Sequence, residues 1–163
     1  MPDRALPSEQ ILTMLAEGPA RLASMTIGLT FVQLRTQPNP DEWSANDVLA
    51  HLRSCADMWG NCIEVILTQE KPTIKAINPR TWIKSTNYLE LEFRPSLRSF
   101  TKQRTALLKV FEPLAQKDWL RTATVKVAGK PLIRTVYFYA QWMATHERPH
   151  IKQIARIANT FGK

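Results

Sequence analysis

Cysteine and histidine are scarce in this chain, which has two cysteines and three histidines in 163 residues. Cys55 and Cys62 fall in one predicted helix, where their spacing corresponds to about 10 Å along the axis. That distance is too long for a disulfide bond. The sequence therefore excludes a disulfide-stabilised scaffold, and two free thiols indicate a reducing compartment.

Long apolar runs are absent as well. No segment approaches the roughly 20 apolar residues of a transmembrane helix, and residues 1–7 lack the apolar core of a signal peptide. We therefore expect a cytoplasmic protein that does not contact a membrane. Because 44% of the residues are hydrophobic, the length suits a single domain over residues 1–163, with its own core, and is short for two.

Negative charge is the scarcer sign, with 14 acidic against 22 basic residues and a formal net charge of +8. The basic residues are scattered, which is typical of a solvated surface. No helix-turn-helix, RNA-binding or zinc-finger motif accompanies them. We expect no specific nucleic-acid partner, and nucleic-acid binding stays open only as a hypothesis based on charge.

The sequence does contain long amphipathic segments. Apolar residues at helical spacing predict a first helix over residues 8–33, interrupted at Gly18-Pro19. The second predicted helix, residues 44–69, is the best defined, because Ser44 is a good N-cap and Asp47 stands three residues later.

Two more helices follow. Helical spacing begins again at Leu91 and predicts a third helix that ends near Lys117, weakened or kinked at Pro113. Residues 122–133 have β-branched residues on both sides of an Ala-Gly turn, which predicts a small hairpin or a structured loop. Thr135 then caps the last helix.

Residues 70–90 have little periodicity. The second helix would be about 39 Å long, and 21 extended residues span about 70 Å. This segment can therefore cross back along the molecule, so that the second and third helices run parallel; a partly ordered surface loop is the alternative. The predicted fold is all-α, a four-helix bundle with a long crossover between its second and third helices.

The three histidines fall at positions that suit a metal site. His146 and His150 are one turn apart in the last helix, and His51 lies on the buried stripe of the second helix. Three imidazoles can hold a zinc-like ion and leave one coordination position open. The alternative is that each is a hydrogen-bonded core or surface histidine, since H-x-x-x-H is common by chance.

Three segments resemble the DinB superfamily of metal-binding four-helix bundles. They are Trp43-Ser44 with Val48-Leu49-Ala50-His51-Leu52; Phe100, Arg104, Leu107 and Leu108 before Asp118-Trp119-Leu120; and His146-Glu147-Arg148-Pro149-His150-Ile151-Lys152-Gln153-Ile154. The resemblance spans residues 8 to 158, and its specific parts are the two histidine segments.

The resemblance implies an up-down-down-up bundle in which His51, His146 and His150 bind one divalent metal ion, commonly zinc or nickel. Characterised members include S-transferases and isomerases that use bacillithiol, mycothiol or glutathione. The implied partners are a small-molecule substrate and a low-molecular-weight thiol.

Pro149 departs from the expected pattern because it lies between two of the ligands. It cannot donate to the Thr145 carbonyl, which costs about 3 kcal/mol in a regular helix. We expect a kink or bulge that redirects His150. A weakened or empty site and a widened site are both open.

Other side chains near these histidines have two interpretations each. Cys55 could be a fourth ligand, although buried cysteines commonly serve packing, which we expect here. An aromatic and methionine stripe could line a pocket, but we expect most of it to be core: Trp59, Tyr139, Trp142 and Met143.

Gln153 and Glu147 could orient the ligands by hydrogen bonds. The sequence from His146 to His150 also matches the H-E-x-x-H motif of zinc proteases, in which the glutamate is the general base. The proline within the motif and the predicted bundle argue against a protease.

We expect a divalent-metal-binding protein, in the sharper form a metal-dependent thiol S-transferase or a related small-molecule enzyme such as a hydrolase. No catalytic base can be assigned from the sequence. The alternative is a non-catalytic bundle with a vestigial metal site that acts through protein interaction, as a homodimer.

Overall fold

The computed structural model describes residues 4–162, which are mostly helical. The elements in chain order are α1 (Ser8–Thr26), α2 (Phe31–Arg35), α3 (Ala45–Thr68), β1 (Thr73–Lys75), α4 (Pro79–Trp82), α5 (Phe93–Phe111), α6 (Gln116–Trp119), β2 (Thr122–Val127), β3 (Lys130–Thr135) and α7 (Val136–Phe161). Two 3₁₀ turns, Ile83–Ser85 and Tyr88–Glu90, lie between α4 and α5. None of these helices is long and apolar enough to cross a membrane.

The four long helices form a bundle in which α1 and α3 each pack against both α5 and α7. Arg53 of α3 donates to Ser96 of α5, and Asp57, one turn later, accepts from Gln103. Both helices therefore run in the same direction. The segment between them is the crossover that the length of residues 70–90 predicted.

Helix α7 runs antiparallel to α3. Trp59 lies beside Trp142, with ring centroids 6.0 Å apart, and the earlier residue His51 lies beside the later residue His150 at 4.8 Å. The predicted all-α four-helix bundle with up-down-down-up order is confirmed.

The interruption of the first predicted helix lies at residues 27–30, between α1 and α2, and not at Gly18-Pro19. Pro19 has no N–H to donate to the carbonyl of Leu15, four residues earlier. Arg104 of α5 replaces that donor, with Nη1 2.9 Å from the Leu15 oxygen. Helix α1 continues because another helix satisfies the acceptor that proline leaves free.

Local signals set most other helix boundaries. Ser44 and Asp47 form the predicted capping box, and Thr135 accepts from the Phe138 N–H at 2.9 Å. The third helix ends at Phe111, earlier than predicted, since Pro113 stops it and the next helical residues form the separate α6.

The predicted hairpin is confirmed as β2 and β3, which pair antiparallel. Its turn residues Ala128 and Gly129 have φ of 48° and 81°, the left-handed conformation that two-residue hairpin turns require. β1 pairs in parallel with β2 and makes the sheet three-stranded. The sequence did not predict β1, because three residues are too few to show a period.

The buried side chains form two apolar clusters at opposite ends of the bundle. One contains Ile11, Leu15, Ile63, Ile66, Phe111, Tyr139 and Met143; the other contains Leu22, Leu49, Leu52, Phe93, Phe100, Ile151 and Ile154. Polar side chains lie between them on three of the four long helices, at His51, Arg104, His146 and Glu147. The candidate site belongs to this polar layer.

Candidate metal centre

The fold brings the three predicted ligands together. His51 on α3 is buried, and its ring centroid lies 5.3 Å from that of His146 and 4.8 Å from that of His150. The two α7 rings are 4.7 Å apart. A zinc ion lies about 2 Å from an imidazole nitrogen, and the ring centre lies about 1 Å further, so rings around one ion have centres roughly 4.5 to 5.5 Å apart. The observed spacing fits one ion.

The donor atoms add a residue to this set. Ligand atoms of His51, Cys55 and His146 all lie within 4.8 Å of one another, and the Cys55 Sγ is 3.6 Å from His51 Nε2. The ring of His150 is close to those of His51 and His146, but its nitrogens do not belong to this set of donor atoms. Its role as a ligand stays a prediction.

Gln153 orients His150, as predicted for a residue that supports a ligand. The Gln153 Oε1 lies 3.0 Å from His150 Nδ1. When Nδ1 carries the proton and donates to this oxygen, Nε2 keeps its lone pair for a metal ion. This hydrogen bond therefore fixes the orientation of the His150 ring.

His146 has an unmatched buried atom. Its Nδ1 is buried and has no hydrogen-bond partner; among the side chains of residues 4–162 only Asn46 Oδ1 shares this state. Leaving a buried polar atom unpaired costs about 1 to 3 kcal/mol. The residues present therefore fit a bound cation in two ways. Imidazole nitrogens are typical metal ligands, and one buried nitrogen, His146 Nδ1, has no other partner.

The electrostatics favour neutral imidazoles. Burial, the neighbouring histidines and the charge of Arg80 lower the pKa of His51 to about 4, and burial, His150 and Arg80 do the same for His146. At neutral pH both side chains keep the lone pairs that a metal requires. Burial above all, with the charge of Glu147, raises the pKa of the Cys55 thiol to about 12.

Two tryptophans enclose the rings. Trp43, just before α3, has its ring centroid 5.2 Å from His51 and stacks at 6.4 Å on His150, with 11° between the planes. Trp59 presents an edge-on contact to His146 at 4.9 Å. The two tryptophans therefore form aromatic walls beside the three imidazoles. In the sequence, Trp43 was marked only as part of a segment that resembles the DinB superfamily, and no contact with the histidines was predicted for it.

The rest of the aromatic stripe divides between core and surface. Tyr139 and Met143 are buried in the first apolar cluster, as predicted. Trp142 packs on Trp59 and remains 45% exposed. It therefore lies on the solvent side of Trp59 and forms part of the rim.

Arg80 is a functional candidate that the sequence did not reveal. It lies on α4 in the crossover, and its guanidinium carbon is 5.8 Å from the Trp43 ring centroid. Its charge also lowers the pKa of His51 and of His146, which places it near the site. No periodicity or motif marks this segment, so no sequence signal could have identified it.

Glu147 does not orient the histidines. It points toward α5, where both carboxylate oxygens accept hydrogen bonds from Arg104, with Nη1 at 3.1 Å from Oε2. The carboxylate is buried at 4% exposure. Because the guanidinium occupies both oxygens, Glu147 cannot serve as the base of an H-E-x-x-H protease.

Pro149 leaves α7 intact. The helix is α-helical without interruption from Val136 to Phe161, so the predicted bulge is absent, whereas the alternative of a kink stays a prediction. The rings of His146 and His150 stay adjacent across it. The proline therefore does not separate the two α7 side chains of the site.

Comparison with known proteins agrees with the resemblance to the DinB superfamily that the sequence motifs indicated. The model of the DinB superfamily matches residues 14–154. Two proteins provisionally named as metal-dependent hydrolases are similar along most of their length. The one from Geobacillus thermodenitrificans (strain NG80-2) is 23% identical over 98% of this chain and 88% of its own; the one from Geobacillus kaustophilus (strain HTA426) is 24% identical over 88% and 80%.

A solved structure shares the fold. YfiT from Bacillus subtilis, described as a probable metal-dependent hydrolase with an unusual four-helix bundle topology, superposes with a TM-score of 0.81. The alignment covers 99% of this chain and 93% of YfiT, at 19% identity.

Proposed function

The chain belongs to the DinB superfamily, and on that premise we propose that it is a divalent-metal-dependent enzyme that acts on a small molecule. His51, His146 and His150 hold the ion, for which zinc and nickel are the first candidates. The spacing of the three rings, at 4.7 to 5.3 Å, is the observation that carries the proposal. The unpartnered Nδ1 of His146 supports it.

A divalent ion at this place supplies Lewis-acid activation and lowers the pKa of a water or thiol nucleophile. The protein contributes orientation and exclusion of water. Gln153 fixes the His150 ring, while Trp43 and Trp59 cover the imidazoles. With Glu147 held by Arg104, no carboxylate of the polar layer is free to act as base.

The reaction class follows from the nucleophile. The provisional names of the Geobacillus relatives favour water, and therefore hydrolysis. The DinB resemblance adds transfer to a low-molecular-weight thiol. Arg80 at the edge of the site favours a substrate that carries an anionic group near its reacting centre.

Metal analysis tests the first step. Protein made without a histidine tag should bind about one zinc or nickel ion per chain, and His146→Ala should lose most of that affinity. Lys152→Ala, an exposed change on the same helix, is the control and should bind like the wild type. Undiminished binding by His146→Ala would contradict the proposal.

Kinetics test the substrate class. With metal-loaded protein and paired aryl esters that differ by one carboxylate, Arg80→Gln should raise KM roughly threefold for the anionic ester only, the factor for about 0.7 kcal/mol at an exposed charge pair. Arg98→Gln, an equal change of charge on the exposed surface of α5, should change neither. Adding a thiol separates transfer from hydrolysis by the product formed.

A further inference from the structure

We propose that Cys55 is a fourth ligand of the metal centre, so that the ion is held by three imidazoles and one thiolate. The inference rests on the proposed metal site and adds a residue to it. It also changes the nature of that site, because four protein ligands fill the coordination positions of a tetrahedral ion.

The helix register places Cys55 at the level of His146. Trp59 of α3 lies beside Trp142 of the antiparallel α7. Four residues back along α3 and four forward along α7 lead to Cys55 and His146. Another turn in each direction leads to the pair of His51 and His150, whose rings are in contact.

Residues four apart share one face of a helix. The sulfur and the imidazole of His51 thus project from α3 as neighbours, and His146 with His150 does the same from α7. Two facing pairs on antiparallel helices thus place four side chains that can bind a metal side by side, and the donor atoms of three of them, His51, Cys55 and His146, lie within 4.8 Å of one another. An isolated cysteine would not have this arrangement.

The distance between the sulfur and the His51 ring nitrogen agrees with coordination. The sulfur lies 3.6 Å from His51 Nε2. With zinc to sulfur at about 2.3 Å and zinc to nitrogen at about 2.0 to 2.1 Å, two ligands of a tetrahedral ion are about 3.5 Å apart. The nearest donor atoms of His51, Cys55 and His146 form one compact set. The alternative is a simple thiol hydrogen bond to the imidazole.

The step is a ligand exchange without a change of redox state. The S–H bond of Cys55 would break with its proton passing to solvent, and a sulfur lone pair would form the bond to the divalent ion in place of a water ligand that leaves. A small molecule then reaches the ion by displacing the sulfur or by adding as a fifth ligand. Cys55 would therefore control access to the centre.

Cys62 is a matched control within the same helix. It is a buried free thiol seven residues later, next to the hydroxyl of Tyr139 rather than to a histidine. Cys62→Ala leaves Cys55 as the single cysteine of the chain. Any thiolate signal in that variant must come from Cys55.

Cobalt substitution tests the proposal. Wild type and Cys62→Ala loaded with Co²⁺ should both show a near-ultraviolet thiolate-to-cobalt charge-transfer band together with the visible d–d bands of a four-coordinate ion. Cys55→Ser and Cys55→Ala should keep d–d bands and lose the charge-transfer band. Circular dichroism confirms that each variant is folded.

The outcomes separate the two proposals. Visible cobalt bands without a charge-transfer band in Cys62→Ala would overturn the role of Cys55 and leave the three-histidine site standing. A complete absence of cobalt bands in the wild type would overturn the metal site itself. Should Cys55→Ala not fold, the result with Cys62→Ala still decides.

Discussion

Replacing Glu147 by glutamine should cost a large part of the stability of this protein. The change keeps the shape of the side chain and removes its charge, which leaves the Arg104 guanidinium, 3% exposed, without a counter-ion. Breaking a buried ion pair in this way costs about 3 to 5 kcal/mol. With a urea m-value of about 2 kcal/mol/M, the unfolding midpoint should fall by roughly 1.5 to 2.5 M.

The chain offers a matched control. Glu92 pairs with Arg35 at 3.3 Å, with side chains 47% and 40% exposed. Because solvent screens such a pair, Glu92→Gln should cost at most about 1 kcal/mol. Urea unfolding followed by circular dichroism, with a chelator present so that bound metal adds nothing, compares the same chemical change at both places.

A double variant refines the magnitude. Replacing both Arg104 and Glu147 by methionine removes both charges, and the main remaining cost is the Leu15 carbonyl that loses its donor, about 1 to 3 kcal/mol. The double variant should be more stable than Arg104→Met alone. Equal costs for Glu147→Gln and Glu92→Gln would refute this account of the ion pair. So would a double variant whose cost equals the sum of the costs of Arg104→Met and Glu147→Met alone.

Three further changes test other parts of the structure. Thr135→Ala removes the cap of α7 and should lower the free energy of unfolding by about 1 kcal/mol, measured by urea titration. Gly129→Ala, at φ 81°, should destabilise the protein by about 1 kcal/mol, because alanine disfavours this backbone conformation. Gly60→Ala in the interior of α3 meets no atom within 4 Å and should stabilise the protein by up to about 1 kcal/mol. Equal effects of the two changes would contradict the left-handed conformation of Gly129. Chelation of the metal-loaded protein should lower its melting temperature, because an ion at 100 times its Kd adds about 2.7 kcal/mol, and His51→Ala should abolish that difference.

The sequence predicted features that depend on local order. Periodic apolar residues mark α3 because a helix must bury one face, and Ser44 marks its start because its side chain satisfies a free N–H. His51 belongs to the apolar stripe of α3, which predicted that its side chain is buried. The helices and the histidine cluster could therefore be anticipated before the structure was known.

The features that escaped prediction join distant parts of the chain. Arg104 and Glu147 are 43 positions apart, and neither has a neighbour in sequence that signals the pairing. The position of Arg80 depends on how the crossover folds onto the entrance of the site. Pro19 led to the wrong prediction of a break in α1. A single sequence cannot show that another helix will supply the missing hydrogen-bond donor.

That proline also fixes the axial positions of three helices relative to one another. The oxygen of Leu15 is an acceptor at one height of α1 only, and Arg104 reaches it from one height of α5 while it holds Glu147 of α7. A shift of α1 by one turn would leave the oxygen and the guanidinium without each other in an apolar interior. The carbonyl that Pro19 leaves without a donor thus selects a single axial alignment of α1, α5 and α7. The last of these helices carries two of the histidines.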